Sequence, residues 1–362
     1  MPLYHIMTLK DKLRNCLRDW YAKVASCLAH CRRDYQKYRW RNTYNRSEVT
    51  APYQRSYIIY GYRESDLTVI ECILSTLSFN NDCINVWLCF INCIYLTVRL
   101  VKHLHNVAFW YDGRAYPLMC YACGALCYFI ALLLSHLLSA TSEPARGRVM
   151  FLYRSSTTIF YVGLSIALYH FSRPAIFPYM QLYLYTTALL AMLSTTILNL
   201  SHYQRNINAT WLRAIHLSTY FWMATISHVF LILRFTSCLP IDCNWLSLPL
   251  FTWQLVFFCI IVLAYILKFP EYYWPGTFDK LGHSRHWIYV FTLILIKFQL
   301  DALISDAIER IDITNLTVPT IFSTYFLMLV VFAYNAGLMR YHIKKESTKN
   351  VTGHNNLPYD DS

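Results

Sequence analysis

The hydrophobic residues of this chain fall in blocks of about 20, and apolar positions within a block are continuous rather than alternating. An α-helix needs about 20 apolar residues to cross the hydrocarbon core of a bilayer. Spanning segments must pair their backbone groups internally, which leaves helices or a closed barrel, and continuous blocks favour helices. The sequence therefore predicts an all-α polytopic membrane bundle. Its eight spans lie near residues 83–101, 118–138, 150–171, 176–200, 212–235, 248–268, 286–305 and 317–339.

Residues 1 to about 45 show a different pattern, in which apolar residues recur at steps of three or four between Lys and Arg. The apolar positions are Leu9, Leu13, Leu17, Trp20, Val24 and Leu28. This spacing predicts an amphipathic helix that lies on the inner membrane surface or packs on the protein's own cytosolic face. The patterns divide the chain into a basic cytosolic segment (1–78), a transmembrane helical bundle (79–340) and a cytosolic tail (341–362).

Charge supports the membrane assignment and sets the orientation of the spans. Only 14% of residues are charged, against about 25% in a typical soluble domain. The formal net charge is +12, and thirteen Lys or Arg lie between Lys10 and Arg63. Basic residues next to spans indicate positive-inside topology and attraction to anionic lipids rather than nucleic acid. With eight spans, the basic connectors place both termini in the cytosol.

The opposite side of the membrane would then carry two candidate modification sites. Asn315 begins an Asn-Leu-Thr glycosylation acceptor. Cys238 and Cys243 face the oxidising side, where they either pair or remain free thiols. The other cysteines lie mostly in apolar blocks or in the basic N-terminal segment, where a buried Cys behaves as a small hydrophobe.

Three motifs carry a resemblance to a known family. They are "YIIYGYRESD" (57–66), "FNNDCINVW" (79–87) and "FPEYYWPGTFDKLGHS" (269–284). In this order and at these span positions, the chain resembles the progestin and adipoQ receptor family over roughly residues 55 to 340. A seven-span core followed by an eighth C-terminal span is similar to the membrane progestin receptor branch. The resemblance implies a plasma-membrane protein whose partners are a steroid or lipid ligand and the membrane lipids.

The resemblance also implies a zinc site near the cytosolic ends of three spans. Family members use one His late in the second span, two His at i and i+4 early in the seventh, and an Asp at the start of the third that holds a water. Three protein ligands leave an open zinc position, where the metal lowers the pKa of bound water to about 7. Members equipped in this way resemble intramembrane hydrolases of ceramide-like lipid amides.

Transferred residue by residue, this zinc site is degenerate in the present chain. The second-span ligand matches His136, but the water-holding Asp falls on Tyr153, and the two seventh-span ligands fall on Arg285 and Tyr289. Arg285 cannot ligate a metal because its guanidinium stays protonated. We expect Arg285 to be held by the Tyr153 or Tyr289 oxygens, to meet a lipid phosphate or sulfate, or to snorkel to the interface. No catalytic residue and no cofactor are expected on this interpretation.

A shifted zinc site is the alternative. His283 and His286 are three residues apart and share a face if the helix includes both. Together with His136 they would offer three nitrogens to a metal.

Two charges lie deep in the seventh span. Lys297 and Asp301 are four residues apart on one helix face, as an ion pair requires, and ionisable residues at membrane depth are functional candidates by default. The sequence predicts a structural pair near the outer interface, which is also the first place where a polar ligand could enter. Arg234, at the outer end of the fifth span, is a further candidate.

These observations leave three functions open. The first is a non-enzymatic receptor that binds a progestin-like steroid or another lipid inside the bundle and signals from its cytosolic face. The second is a zinc-dependent hydrolase of lipid amides that uses the shifted histidines. The third is a scaffold that retains or inhibits active relatives by forming hetero-oligomers with them, and a homo- or hetero-oligomer with related receptors is a possible partner state.

Overall fold

The computed structural model describes residues 43–105, 113–174, 181–203, 209–237, 246–309 and 318–354. Almost all of the predicted N-terminal amphipathic helix lies outside these ranges. So do the cysteines at 238 and 243 and the acceptor at Asn315.

The described ranges form ten α-helices and no named strand. The helices are α1 (Val69–Ser75), α2 (Cys83–Leu104), α3 (Ala115–Leu137), α4 (Glu143–Ser172), α5 (Gln181–Tyr203), α6 (Ala209–Ser227), α7 (Val229–Ser237), α8 (Ser247–Leu267), α9 (Ser284–Glu309) and α10 (Val318–His354). A helix occupies every predicted span, which confirms the all-α bundle.

Six of these helices, α2, α3, α5, α8, α9 and α10, are long and apolar enough to cross a membrane. The fifth predicted span is divided into α6 and α7, which meet at an angle of 55° and make a seventh span if counted together. At the break, Ser227 Oγ donates to Met223 O at 2.7 Å, and the His228 ring nitrogen Nδ1 lies 2.8 Å from Ala224 O. Side chains that bond the carbonyls of the preceding turn compete with the helical ladder and bend it.

Helix α4 is the centre of the bundle. It packs against α3, α5, α6, α7, α9 and α10. Its contact with α3 is close because both helices carry glycine there: a Cβ on Gly163 would lie 2.4 Å from Cys120 O, and one on Gly124 would lie 3.0 Å from Ile159 O. Small residues allow this approach of two backbones within a membrane.

Several polar side chains on α4 form hydrogen bonds across the helix interfaces. Thr158 Oγ1 lies 2.6 Å from Thr195 Oγ1 on α5, and Ser165 Oγ donates to Ser227 Oγ on α6 at 3.0 Å. Helix α4 can therefore be more polar than its neighbours because it faces protein on most sides. Helix α8 is the opposite case: it packs chiefly against α9 and leaves most of its apolar surface outward.

The two ends of the bundle carry the charged groups. The proximal end is where α2 and α9 begin and α3 ends, and a strap of residues 43–82 covers it. At the distal end α2 and α9 finish. There Arg114 Nη1 donates to Ala307 O at 2.9 Å, and Arg234 pairs with Asp306 at 2.6 Å.

The predicted pairing of Lys297 with Asp301 is wrong. Asp301 forms its ion pair with Arg99 of α2. The Lys297 ammonium lies instead over the ring of Phe298, 5.1 Å from its centroid. Spacing on one helix shows only which residues share a face, whereas the packing of α2 on α9 brings in a cation from another helix.

Candidate functional site

The strap is fixed to the bundle by the connector that precedes α9. The backbone N–H groups of Ile59 and Tyr60 both donate to the Asp279 carboxylate, at 2.8 and 2.6 Å. Gly61 has a φ of +88°, and a Cβ there would meet Lys280 Cγ at 3.0 Å. Only glycine fits both this left-handed backbone and this close contact.

Arg63 joins the strap to the C-terminal end of α3. Its guanidinium donates to His136 O at 2.6 Å and to Leu137 O at 3.1 Å, and also to the hydroxyls of Ser75 and Ser139. The last carbonyls of a helix lack intrahelical partners and carry partial negative charge. A buried cation that satisfies them fixes the position of the final turn of α3, which carries His136.

Asp82, just before α2, is the polar hub of the proximal end. Its Oδ1 accepts from Arg55 Nη2 at 2.6 Å and from His136 Nδ1 at 3.0 Å. Its Oδ2 accepts from Ser139 Oγ at 2.6 Å and from Arg63 Nη2 at 3.3 Å. Burial alone would raise the pKa of this carboxyl, but Arg55, the His136 hydrogen bond and Arg63 outweigh it and hold the pKa well below the ordinary value. Asp82 is therefore ionised.

His136 is hydrogen-bonded at both ring nitrogens. Because the Asp82 carboxylate can only accept, His136 Nδ1 carries the proton. In the neutral ring, Nε2 then accepts from the Tyr289 hydroxyl, which lies 2.5 Å away. The lone pair of His136 Nε2, which a metal would need, is thus occupied by the Tyr289 hydroxyl. Tyr289 itself stands at a position where the resemblance implies a metal ligand.

The connector before α9 is held by a carboxylate. Glu271 accepts from Ser284 N at 2.7 Å and from the Ser284 hydroxyl. A carboxylate at a helix N-terminus satisfies an unpaired N–H group and complements the helix dipole.

His283 and His286 lie in direct contact, with ring centroids 3.8 Å apart and Nδ1 atoms 3.0 Å apart. His286 Nδ1 also accepts from Gly282 N at 2.9 Å. Burial, the neighbouring His286 and the nearby arginines lower the pKa of His283 to about 2, so its ring is neutral.

Arg285 lies near Arg55, Asp82, Tyr153 and Tyr289 but does not hydrogen-bond the oxygens predicted for it. Within the described part of the chain, its guanidinium makes no hydrogen bond or ion pair with Tyr153 or Tyr289. The Tyr289 hydroxyl is bound to His136. Tyr153 packs on Tyr128, with ring centroids 6.0 Å apart.

The donor set does not fit a zinc ion in this arrangement. Among the described residues, no group of three or more His, Cys, Asp or Glu side chains is placed to hold a metal. His136 bonds Asp82 and Tyr289, while His283 and His286 bond each other, so the three histidines of the shifted set do not converge as ligands. A zinc ion needs several converging donors with a matching second shell.

Above the polar hub, tyrosines from five helices lie near one another, and all but Tyr265, which is 42% exposed, are at least partly buried. Tyr153 lies near Tyr128, Tyr220 and Tyr265, and Tyr128 lies near Tyr161 and Tyr289. We call these six residues the tyrosine cluster. It offers flat apolar faces and several hydroxyls in the middle of the bundle.

Sequence reasoning missed Asp82, Arg55 and Arg63 as parts of the site. Asp82 and Arg63 both lie inside motifs that carry the family resemblance, so a signal was present. The contacts could not be read from spacing, because Asp82 and His136 are 54 residues apart.

The comparisons with known proteins agree with one another in the kind of relative they find. A family profile described as "Haemolysin-III related" matches residues 77–300. The chain is 24% identical to human membrane progestin receptor gamma over 272 residues, which is 70% of this chain and 78% of that protein. It is 26% identical to membrane progestin receptor alpha of Cynoscion nebulosus over 269 residues, 73% of this chain and 76% of the relative. Human membrane progestin receptor beta is 22% identical over 317 residues, 84% of this chain and 88% of the relative.

Proposed function

We propose a function for this chain on the premise that it belongs to the haemolysin-III-related family. This is the progestin and adipoQ receptor family that its motifs resemble. It is an integral membrane protein with receptor-like relatives. We infer that it is a non-enzymatic receptor that binds a progestin-like steroid or another lipid inside its helical bundle. The observation that carries this is the 2.5 Å hydrogen bond from Tyr289 to His136 Nε2.

We propose that the hydrogen bond between Tyr289 and His136 is one reason why this protein binds no zinc ion. A zinc site needs the His136 lone pair and two further ligands, but here Tyr289 occupies the lone pair and Arg285 brings a positive charge. Without a Lewis acid there is no activated water for amide hydrolysis. The site then serves to close the proximal end of the bundle through the Asp82–His136–Tyr289 chain.

The tyrosine cluster supports an interior ligand. A steroid is flat, apolar and polar only at its ends. Ligand sites of this kind are lined mainly by apolar and aromatic groups with a few polar groups that fix orientation. Tyr153 stands at the centre of the cluster and would contact such a ligand.

Metal content tests the proposal. Purified wild-type protein should contain far less than one zinc per chain, measured by inductively coupled plasma mass spectrometry. The double variant Arg285→His and Tyr289→His places imidazoles at both missing ligand positions and should bind about one zinc per chain. Stoichiometric zinc in the wild type that disappears in His136→Ala would overturn the receptor proposal in favour of the hydrolase.

Ligand binding is tested separately, with radiolabelled progesterone on the purified full chain. Tyr153→Ala should weaken binding by about tenfold, since an aromatic contact with a buried ligand is lost. Tyr60→Ala is the matched control, because Tyr60 lies on the strap with half of its surface exposed. Equal affinities for the two variants would contradict an interior site.

The hydrolase remains a second candidate because His283 and His286 touch and His283 Nε2 has no partner among the described residues. Release of fatty acid from a short-chain ceramide, abolished by a zinc chelator, would favour it. An oligomer with related receptors would be detected by co-purification.

We also propose a plasma-membrane location with both termini in the cytosol. The proximal end carries Arg46, Arg55, Arg63, Arg146, Arg148, Lys268, Lys280 and Arg285, and basic residues favour the cytosolic side. An epitope tag at the C-terminus should be stained in intact cells only after permeabilisation.

A further inference from the structure

At the proximal end, three arginines, Arg55, Arg63 and Arg285, lie near one carboxylate, Asp82. The largest electrostatic influence on Arg285 is another cation, Arg55, and it exceeds that of Asp82. Asp82 already serves both Arg55 and Arg63. Of the other buried carboxylates at this end, Glu271 is engaged by Ser284, and Asp279 is engaged by the backbone N–H groups of Ile59 and Tyr60. The Arg285 guanidinium therefore faces a cation without a counter-charge of its own.

Several donors at this place lack an acceptor among the described residues. Arg55 Nη1 is buried and makes no hydrogen bond. His286 is 5% exposed, and its Nε2 is likewise unpaired. Since His286 Nδ1 accepts from Gly282 N, its ring proton must reside on Nε2. This nitrogen is thus a buried N–H donor, and an unpaired buried donor costs free energy.

These groups are close to one another. His286 lies near enough to His136, Arg55 and Arg285 for a charge on its ring to be affected by them. His283, which is 2% exposed, interacts with the same two arginines. If His283 Nδ1 donates to His286, then His283 Nε2 is an acceptor and cannot donate to an anion.

We propose that the proximal end holds a site for a phosphate or sulfate group, bound between Arg285 and Arg55 with the Nε2–H of His286 as a further donor. A tetrahedral oxyanion would supply the missing counter-charge and accept from each unpaired donor at once. Guanidinium groups bind such anions through parallel N–H bonds, which a Lys cannot reproduce. The anion would occupy the end of the bundle where relatives place a cation.

The oxyanion could be the headgroup of a lipid or a free ion from solution. The inference rests on the proposed function in one respect, the absence of zinc from this end of the bundle. The experiment therefore measures zinc in the same samples as anion binding.

Thermal unfolding of the purified full chain provides the test. One arm titrates inorganic phosphate in detergent, with potassium chloride at matched ionic strength. The other compares phosphatidylcholine nanodiscs alone with nanodiscs that contain phosphatidic acid. Wild-type Tm should rise by about 2 °C at ten times the dissociation constant. A response to phosphate identifies a free ion, and a response to phosphatidic acid alone identifies a headgroup.

Arg285→Gln should abolish this rise and should itself have a higher Tm than wild type without anion, because it removes the repulsion with Arg55. Arg146→Gln is the matched control. It removes a cation from the same end, one that lies over Tyr53 at 4.5 Å, and should keep the full response. If Arg285→Gln does not fold, Arg285→Lys keeps the charge and should bind phosphate about tenfold more weakly.

Two results would overturn the anion site: no rise in wild-type Tm beyond that in chloride, or an undiminished rise in the Arg285 variants. If zinc is absent when this happens, the anion site fails alone and the receptor proposal stands. Stoichiometric zinc would overturn both.

Discussion

The two ends of the bundle handle buried charge in different ways. At the distal end, the side chains of Arg234 and Asp306 are both 0% exposed and pair with each other at 2.6 Å. Ser172 and Ser247 complete that pair with hydrogen bonds of 2.6 and 3.2 Å. At the proximal end, Asp82 is shared by two arginines and a histidine, while Arg285 has no counter-charge among the described residues.

This difference distinguishes charged side chains that only stabilise the fold from charged side chains that are available to a ligand. A matched buried pair has its desolvation cost offset by its own geometry and needs nothing from outside. A guanidinium that has no ion-pair partner, next to buried donors without acceptors, is stabilised when solvent or a ligand supplies the acceptor. An anion should therefore alter stability through Arg285, and the Arg234–Asp306 pair should not respond to it.

The largest expected effect comes from breaking the distal pair. Asp306→Ala leaves Arg234 as an uncompensated buried cation, which costs about 3–5 kcal/mol. We expect the Tm of the purified protein to fall by about 4–7 °C.

The double variant Arg234→Met with Asp306→Leu is the control, because removing both charges should restore most of the lost stability. If the single variant melted within a degree or two of wild type, the pair would not be the buried element described here.

A smaller effect is expected at the proximal hub. Asp82→Asn removes the negative charge that serves Arg55, Arg63 and His136, at a cost of about 2–3 kcal/mol. The loss is smaller than at the distal end because the Arg55 side chain is 15% exposed and can recover hydration.

Asp66→Asn is the matched control. Asp66 is an exposed carboxylate on the same strap, and its only role seen among the described residues is to accept from Tyr53. Equal thermal stabilities of the two variants would show that Asp82 is not a hub.

The sequence predicted the bundle well because length and hydropathy determine where a chain can cross a membrane. Each of the eight predicted spans contains a helix, including α4, whose polar Ser and Thr face neighbouring helices. The bend between α6 and α7 was not predicted, since it depends on local bonds from Ser227 and His228 to the preceding carbonyls.

The candidate site was predicted less completely, for a physical reason. His136, Arg285 and Tyr289 were found because the resemblance assigns positions along the chain. Asp82 is brought to His136 by the packing of α2 on α3, and spacing within one segment carries no information on that contact. The error at Lys297 has the same origin, because the true partner of Asp301 belongs to another helix.

The smallest expected effect concerns the distal ion pair between Arg99 and Asp301, which stands in place of the predicted pairing of Lys297 with Asp301. The side chains of Arg99 and Asp301 are 28% and 25% exposed, so solvent screens their pair more than it screens Arg234 and Asp306. A double-mutant cycle on thermal stability with Asp301→Asn and Arg99→Gln should give a coupling of about 0.5–1 kcal/mol. The matched cycle with Lys297→Gln should give about zero, since Lys297 lies over an aromatic ring instead. A larger coupling energy for Lys297 than for Arg99 would show that Asp301 pairs with Lys297 within α9. A coupling energy for Arg99 as large as the cost of Asp306→Ala would show that solvent does not screen the Arg99–Asp301 pair more than the buried one.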